Sequence, residues 1–155
     1  MRIHPLTLAV ALVFGGIDLT AAGLNITIEA RVAGRRQTSA NGQSPPAFTV
    51  KRGETLTVQW TATNPAPGPA LSEVTMHTVL DKDAPATQSK AGSGALYEGA
   101  VNLDFRSGER SSGNFRMPMV EPGSYVLRVK SVGIKGQTGA KDGAESFATL
   151  KVIVQ

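Results

Sequence analysis

Few side chains in this sequence are of the types that carry out catalysis. The sequence has no cysteine, and beyond residue 22 it has a single histidine, His77. Without cysteine there is no thiol nucleophile, disulfide scaffold, iron–sulfur cluster or cysteine-bound zinc. A serine triad needs a histidine between nucleophile and carboxylate, and the Gly-x-Ser-x-Gly elbow is absent. We therefore predict that the protein is not an enzyme and has no catalytic residues.

The most specific candidate for a metal site is a set of side chains of the types that bind copper: Met76, His77, Met117 and Met119. Met76 and His77 are consecutive in a predicted strand, so their side chains point to opposite faces. Met117 and Met119 continue the apolar face that begins at Phe115, as core methionines do. Ordinary packing is the favoured interpretation, and copper binding is the alternative.

A second candidate is calcium, because Asp81-Lys82-Asp83 begins like a calcium-binding loop. The motif then fails, since residues 84–86 are Ala-Pro-Ala where further oxygen ligands and a glycine are required. Asp81, Asp83, Glu98 and Asp104 would form a site only if the fold brought them together. We predict no metal and no cofactor, with a calcium site at one end of the domain as the alternative.

Composition and charge narrow the class of protein. Hydrophobic residues make up 41% and aromatic residues 5% of the 155, and 17 glycines with 9 prolines argue against a helical bundle. The formal net charge is +4, but the basic residues are dispersed, with Arg35-Arg36 the densest cluster. No basic helix or aromatic-interleaved basic strip is present, so we predict no nucleic-acid binding. The charge would instead attract anionic partners such as envelope lipids or polysaccharides.

Residues 1–22 have the layout of a helical signal peptide: Arg2 and His4, an apolar run over 6–17, and small residues ending at Ala22. Twelve helical residues span about 18 Å, less than the roughly 30 Å bilayer core. We therefore predict a periplasmic or secreted protein with no stable membrane insertion after cleavage. A retained anchor is the alternative, and residues 23–155 are the predicted domain.

Alternation of apolar and polar residues with a period of two predicts β-strands along the rest of the chain. Seven or eight short strands and no amphipathic helix indicate an all-β, antiparallel two-sheet sandwich. Three long connections, 34–46, 81–94 and 133–145, are predicted to be loops. The predicted strands cover 24–32, 47–50, 55–63, 73–80, 97–105, 115–119, 124–130 and 148–154.

The run Pro122-Gly123-Ser124-Tyr125 resembles the start of the penultimate strand in bacterial immunoglobulin-like and fibronectin-like sandwich modules. The segment 48–60 similarly resembles their opening pair, a short edge strand, a turn and a buried strand. The resemblance implies that the Tyr125 hydroxyl bonds to the backbone at the corner and that Trp60 is a core aromatic. It implies an immunoglobulin-like fold that acts through its surfaces, and it implies no reaction.

Two functions from different classes follow. The first is an exported, non-enzymatic module that binds another envelope or secreted protein, or serves as an accessory subunit of an envelope assembly. Its recognition would use the three long loops or an exposed edge strand. The second is a periplasmic protein that binds a small ligand or a metal, copper or calcium. Metal analysis and the melting temperature with added metal would distinguish the two.

Overall fold

The computed structural model describes residues 23–83, 95–133, 135–136 and 146–155. The predicted signal peptide, 1–22, and most of the predicted loops 81–94 and 133–145 lie outside these residues. Within the described part of the chain, no helix is long and apolar enough to cross a membrane. The described strands are β1 Asn25–Val32, β2 Arg35–Ala40, β3 Phe48–Val50, β4 Thr55–Thr63, β5 Leu71–Lys82, β6 Ala95–Phe105, β7 Arg110–Pro118, β8 Gly123–Val132, β9 Lys135–Gly136 and β10 Phe147–Val154.

The strands form two sheets. The first has the order β2-β1-β4-β7, and the second has the order β3-β10-β8-β5-β6, with the short β9 also paired to β5. All pairings are antiparallel except that of β3 with β10. The predicted all-β two-sheet sandwich is therefore confirmed, with one parallel edge pairing that alternation along single strands does not reveal.

Side chains that alternate inward along both sheets build one core. In β1, Ile26, Ile28, Ala30 and Val32 are buried, while the residues between them face outward. The same alternation holds in β4, β8 and β10. Because strand side chains alternate between faces, burying one face removes every second side chain from water and supplies the main stabilising free energy.

The prediction of a loop over 34–46 was wrong for its first half, which contains β2. The chain reverses through Ala33-Gly34, with φ angles of 44° and 79°, and β2 then pairs with β1. β2 lies at a sheet edge, and of its six side chains only Ser39 is buried. A strand with polar residues on both faces shows no hydrophobic period, so periodicity did not detect it. The strand β9 lies within the predicted loop 133–145 and was not predicted, because its two residues are too few to show a period.

The tyrosine corner that the resemblance implies is present at Tyr125. Tyr125 is fully buried, and its hydroxyl donates a hydrogen bond of 2.8 Å to the carbonyl oxygen of Glu121. The Glu121 carboxylate in turn lies 3.0 Å from Lys82 Nζ, and this hydrogen bond raises the pKa of Lys82 above its usual 10.5. Trp60 is 5% exposed and belongs to the core. Both residues occupy the positions that the resemblance implies.

Asn64 joins two connections at one end of the sandwich. Its buried Nδ2 donates to the carbonyl oxygens of Pro69 at 2.9 Å and Arg106 at 3.0 Å. Its backbone N–H and C=O also bond to Glu109 and Gly108. The bond to Pro69 closes the β4–β5 connection on itself, and the other three hold it against the β6–β7 turn, which satisfies backbone groups that would otherwise lack partners.

Candidate interaction surface

The structure does not bring the predicted copper ligands together. Met76 and Met119 are each 1% exposed and belong to the core, and Met117 packs against it. His77 lies on the other side of its strand from Met76, with Nε2 2.9 Å from Glu98 Oε1. The prediction that Met76 and His77 face opposite sides is confirmed, and the methionines lie where the packing interpretation places them.

The acidic residues proposed for calcium also lie apart. Asp83 Oδ2 is 2.7 Å from Lys151 Nζ, whereas Asp104 Oδ1 accepts a 2.9 Å hydrogen bond from the Glu73 N–H. Glu98 bonds to His77 in β5. Among the residues that the structure describes, no group of three His, Asp or Glu side chains is placed to hold a metal ion.

The two open sides of the sandwich, where sheet edges face each other, are closed in different ways. On the side of β2 and β3, Arg35 Nη2 lies 2.8 Å from Glu54 Oε2, and Arg35 Nη1 donates to the Thr49 carbonyl at 2.7 Å. The same guanidinium lies 5.8 Å from the centre of the Phe48 ring. Polar bonds and a cation–π contact therefore seal this side.

The side of β6 and β7 is closed by apolar contacts. The Tyr97 ring of β6 stacks on the Phe115 ring of β7, with centroids 3.9 Å apart and planes 8° from parallel. Leu103 of β6 and Met117 of β7 are also only partly buried where they pack against the core, and Val101 is 41% exposed. Val101 alternates along β6 with the same period as Tyr97, Leu103 and the buried Phe105, and its exposure shows that this face of β6 is only partly covered.

Of the four edge strands in the part of the chain that the structure describes, three have features that discourage pairing with a further strand. β3 is three residues long and follows Pro45-Pro46. β2 has Arg35 and Arg36 in succession, and β7 ends at Pro118. Short length, positive charge and proline are the usual protections of a sheet edge against unwanted strand addition.

β6 lacks these protections. Its eleven residues, ALYEGAVNLDF, include no lysine, arginine or proline. Its two charged residues, Glu98 and Asp104, already bond to β5. Leu96, which lies at a bulge in the pairing with β5, and Val101 are both exposed, and no described strand pairs with the outer edge of β6. Sequence reasoning did not single out this edge, because only strand order shows which strand lacks a second neighbour.

No protein-family model matches the chain, and no curated protein does. Among solved structures, the chain is similar to the C-terminal domain of wzt, with 13% identity and a TM-score of 0.46 over 83% of this chain and 70% of that one. It is also similar to part of the β-glucosidase from Listeria innocua, with 16% identity and a TM-score of 0.39. That match covers 82% of this chain and 16% of the enzyme. At these identities and TM-scores, no functional residue is transferred to this chain.

Proposed function

We propose that this protein is an exported, non-enzymatic, immunoglobulin-like module that binds another envelope or secreted protein by accepting a strand at the outer edge of β6. The observation that carries the proposal is the exposed and largely apolar edge of this eleven-residue strand, which has no lysine, arginine or proline. The immunoglobulin-like assignment is supported by the tyrosine corner at Tyr125. Export is supported by the signal-peptide layout of residues 1–22.

Strand addition would use groups that the fold leaves free. Along an edge strand, alternate backbone N–H and C=O groups point away from the sheet, and a partner strand satisfies them. Leu96 and Val101 are both exposed along β6, so an added strand would contact exposed apolar side chains at two points of the edge. The hydrogen bonds would supply affinity, and these side chains would select the sequence of the partner strand.

Site-specific photocrosslinking in the producing cells tests the proposal. A photoreactive residue at Asn102 of β6 is compared with the same residue at Asn114 of β7, since both positions are exposed on a sheet edge. Their side chains leave the sheet faces and do not obstruct backbone pairing. We expect one discrete adduct with a second protein from position 102 and none from position 114.

A matched pair of variants distinguishes strand addition from non-specific hydrophobic association. Val101→Lys places a charge on the β6 edge, whereas Val120→Lys makes the same change at an exposed loop valine. The adduct should disappear with the first and persist with the second. Equal adducts in both variants, or a protein recovered alone and monomeric, would contradict the proposal.

A further inference from the structure

The outer face of the first sheet carries a row of arginines that crosses the strands. Arg36 of β2 lies directly opposite Arg31 of β1, which lies opposite Thr57 of β4, which lies opposite Arg116 of β7. Residues directly opposite in antiparallel strands share a face, so these four side chains form one line, here called the arginine row. With strands about 4.8 Å apart, Arg31 and Arg116 are separated by roughly 10 Å.

The charge of the arginine row is only partly neutralised. Glu29, two residues before Arg31 on the same face, forms an ion pair with it. Arg36 and Arg116 are exposed and have no hydrogen-bond or ion-pair partner within the described chain. Like charges directly opposite each other on a sheet are destabilising, and Arg31 and Arg36 are such a pair. An anion bound across the row would relieve this repulsion.

A shallow groove of about 480 Å³ continues the arginine row along the same face. Arg31, its ion-pair partner Glu29 and Arg110 lie among its lining residues, together with hydroxyl and amide side chains that include Thr61 and Gln59. Arg110 Nη2 donates a 3.5 Å hydrogen bond to Thr61 Oγ1. Every lining side chain is polar, and none is aromatic. The groove therefore offers hydrogen-bond donors and acceptors at several points, with guanidinium groups to receive negative charge.

We propose that this face binds an acidic polysaccharide. The arginine row would hold carboxylate or sulfate groups, for which the planar guanidinium is suited. The threonine hydroxyls and the Gln59 amide would bond to the sugar hydroxyls. Because the face does not include β6, the inference is independent of strand addition.

The other classes of anionic ligand fit this face less well. Single-stranded nucleic acid is normally held by aromatic side chains that stack on the bases, and the groove has none. A lipid surface would require exposed apolar residues to enter the acyl region, and the lining residues are all polar. An acidic peptide would find charge complementarity here but no apolar pocket for an anchoring side chain.

A change at Glu29 should affect anion binding in the opposite direction to a change at the arginines. The Glu29 carboxylate forms an ion pair with the Arg31 guanidinium and would repel an incoming anion. Glu29→Gln should therefore increase the affinity for the acidic polysaccharide severalfold. A residue that served only to stabilise the sheet would not improve affinity when it was changed. Arg31→Gln with Arg116→Gln should weaken binding roughly tenfold, because two charge-assisted hydrogen bonds at an exposed site are lost.

Calorimetric titration of the purified protein with a galacturonic acid oligomer tests the inference. A neutral galactose oligomer of the same length, polyglutamate, phosphatidylglycerol vesicles and a single-stranded DNA oligomer are titrated in parallel. The control variant, Arg128→Gln with Lys130→Gln, removes the same charge from β8 in the other sheet. We expect the acidic oligomer to bind wild-type and control proteins alike, and the Arg31/Arg116 variant weakly.

Several results would overturn the inference. Equal loss of affinity in the control variant would mean that net charge alone attracts the oligomer. Binding of polyglutamate, DNA or vesicles as tight as that of the oligomer would assign the face to a different class of ligand. An unchanged or weaker affinity in Glu29→Gln would show that Arg31 does not receive the acidic group.

Discussion

At the scale of single residues, the sandwich depends on a few contacts that permit one residue type only. Trp60 of β4 lies directly opposite Gly113 of β7 on the inner face. A Cβ atom at position 113 would lie 2.5 Å from the indole ring, closer than carbon atoms approach. The glycine leaves the space that the ring occupies, and the ring covers a backbone position that has no side chain of its own.

We expect Gly113→Ala to destabilise the protein by about 2 kcal/mol, because overpacking in a core forces the rigid ring or the backbone to shift. Urea unfolding followed by circular dichroism measures the change. Adding Trp60→Leu should make the alanine tolerable, so the double variant should be more stable than the sum of the single changes indicates. Ser112→Ala, one residue away on the outer face, is the control. Full additivity would show that the two residues do not contact each other.

At the scale of elements, the β1–β2 hairpin shows how a turn sets a register. Ala33 and Gly34 both have positive φ, which is the geometry of the two-residue turn that matches strand twist. This turn places Val32 opposite Arg35, and the pairs that follow bring Arg31 opposite Arg36. The register of the arginine row in these two strands therefore depends on the turn. Ala33 adopts this conformation at a steric cost that glycine and asparagine largely avoid.

Replacing Ala33 with asparagine should stabilise the protein by about 1 kcal/mol, because asparagine tolerates positive φ and Asn-Gly is the preferred pair for this turn. Ala33→Val should destabilise it, since a β-branched side chain is poorly tolerated at positive φ. Thermal and urea unfolding of the three proteins give the comparison. Identical stabilities for the asparagine and valine variants would mean that Ala33 is not held at positive φ in solution.

At the scale of the whole molecule, the important feature is the difference between the two open sides. Arg35 and its polar partners seal one side, whereas the stacked Tyr97 and Phe115 rings close the other, where the β6 edge has no lysine, arginine or proline. A long apolar edge without a protecting charge promotes pairing between chains. The same edge that is proposed to receive a partner should therefore promote association of the protein with itself when it is heated or concentrated.

Val101→Lys should slow aggregation on heating without lowering the melting temperature, because it puts a positive charge at the edge while the site is already 41% exposed. Val120 is more exposed, at 56%, but lies in a loop. If exposed hydrophobicity alone drove aggregation, Val120→Lys would protect at least as well. Light scattering during a temperature ramp compares the two variants with the wild type. Equal protection would argue against pairing through β6.

Much of the fold was predictable because each buried strand has a local hydrophobic pattern. The eight predicted strands correspond to β1, β3 to β8 and β10. The Tyr125 corner was implied by the resemblance of Pro122-Gly123-Ser124-Tyr125 to immunoglobulin-like modules. β2 was not predicted because neither of its faces is apolar. The exposure of Val101 was not predicted because alternation shows which residues share a face but not whether another sheet covers that face.

The sequence by itself determined the inward faces of most strands, because each face depends on residues within a few positions of one another, and the number of such strands indicated the sandwich class. The role of Tyr125 was implied by the resemblance to immunoglobulin-like modules. Only the tertiary structure decided that β6 is a sheet edge and that Arg36, Arg31 and Arg116 lie in one row. These properties depend on which strands are neighbours and in what register. Pairing between distant segments is set by the packing of the whole core, and no local pattern records it.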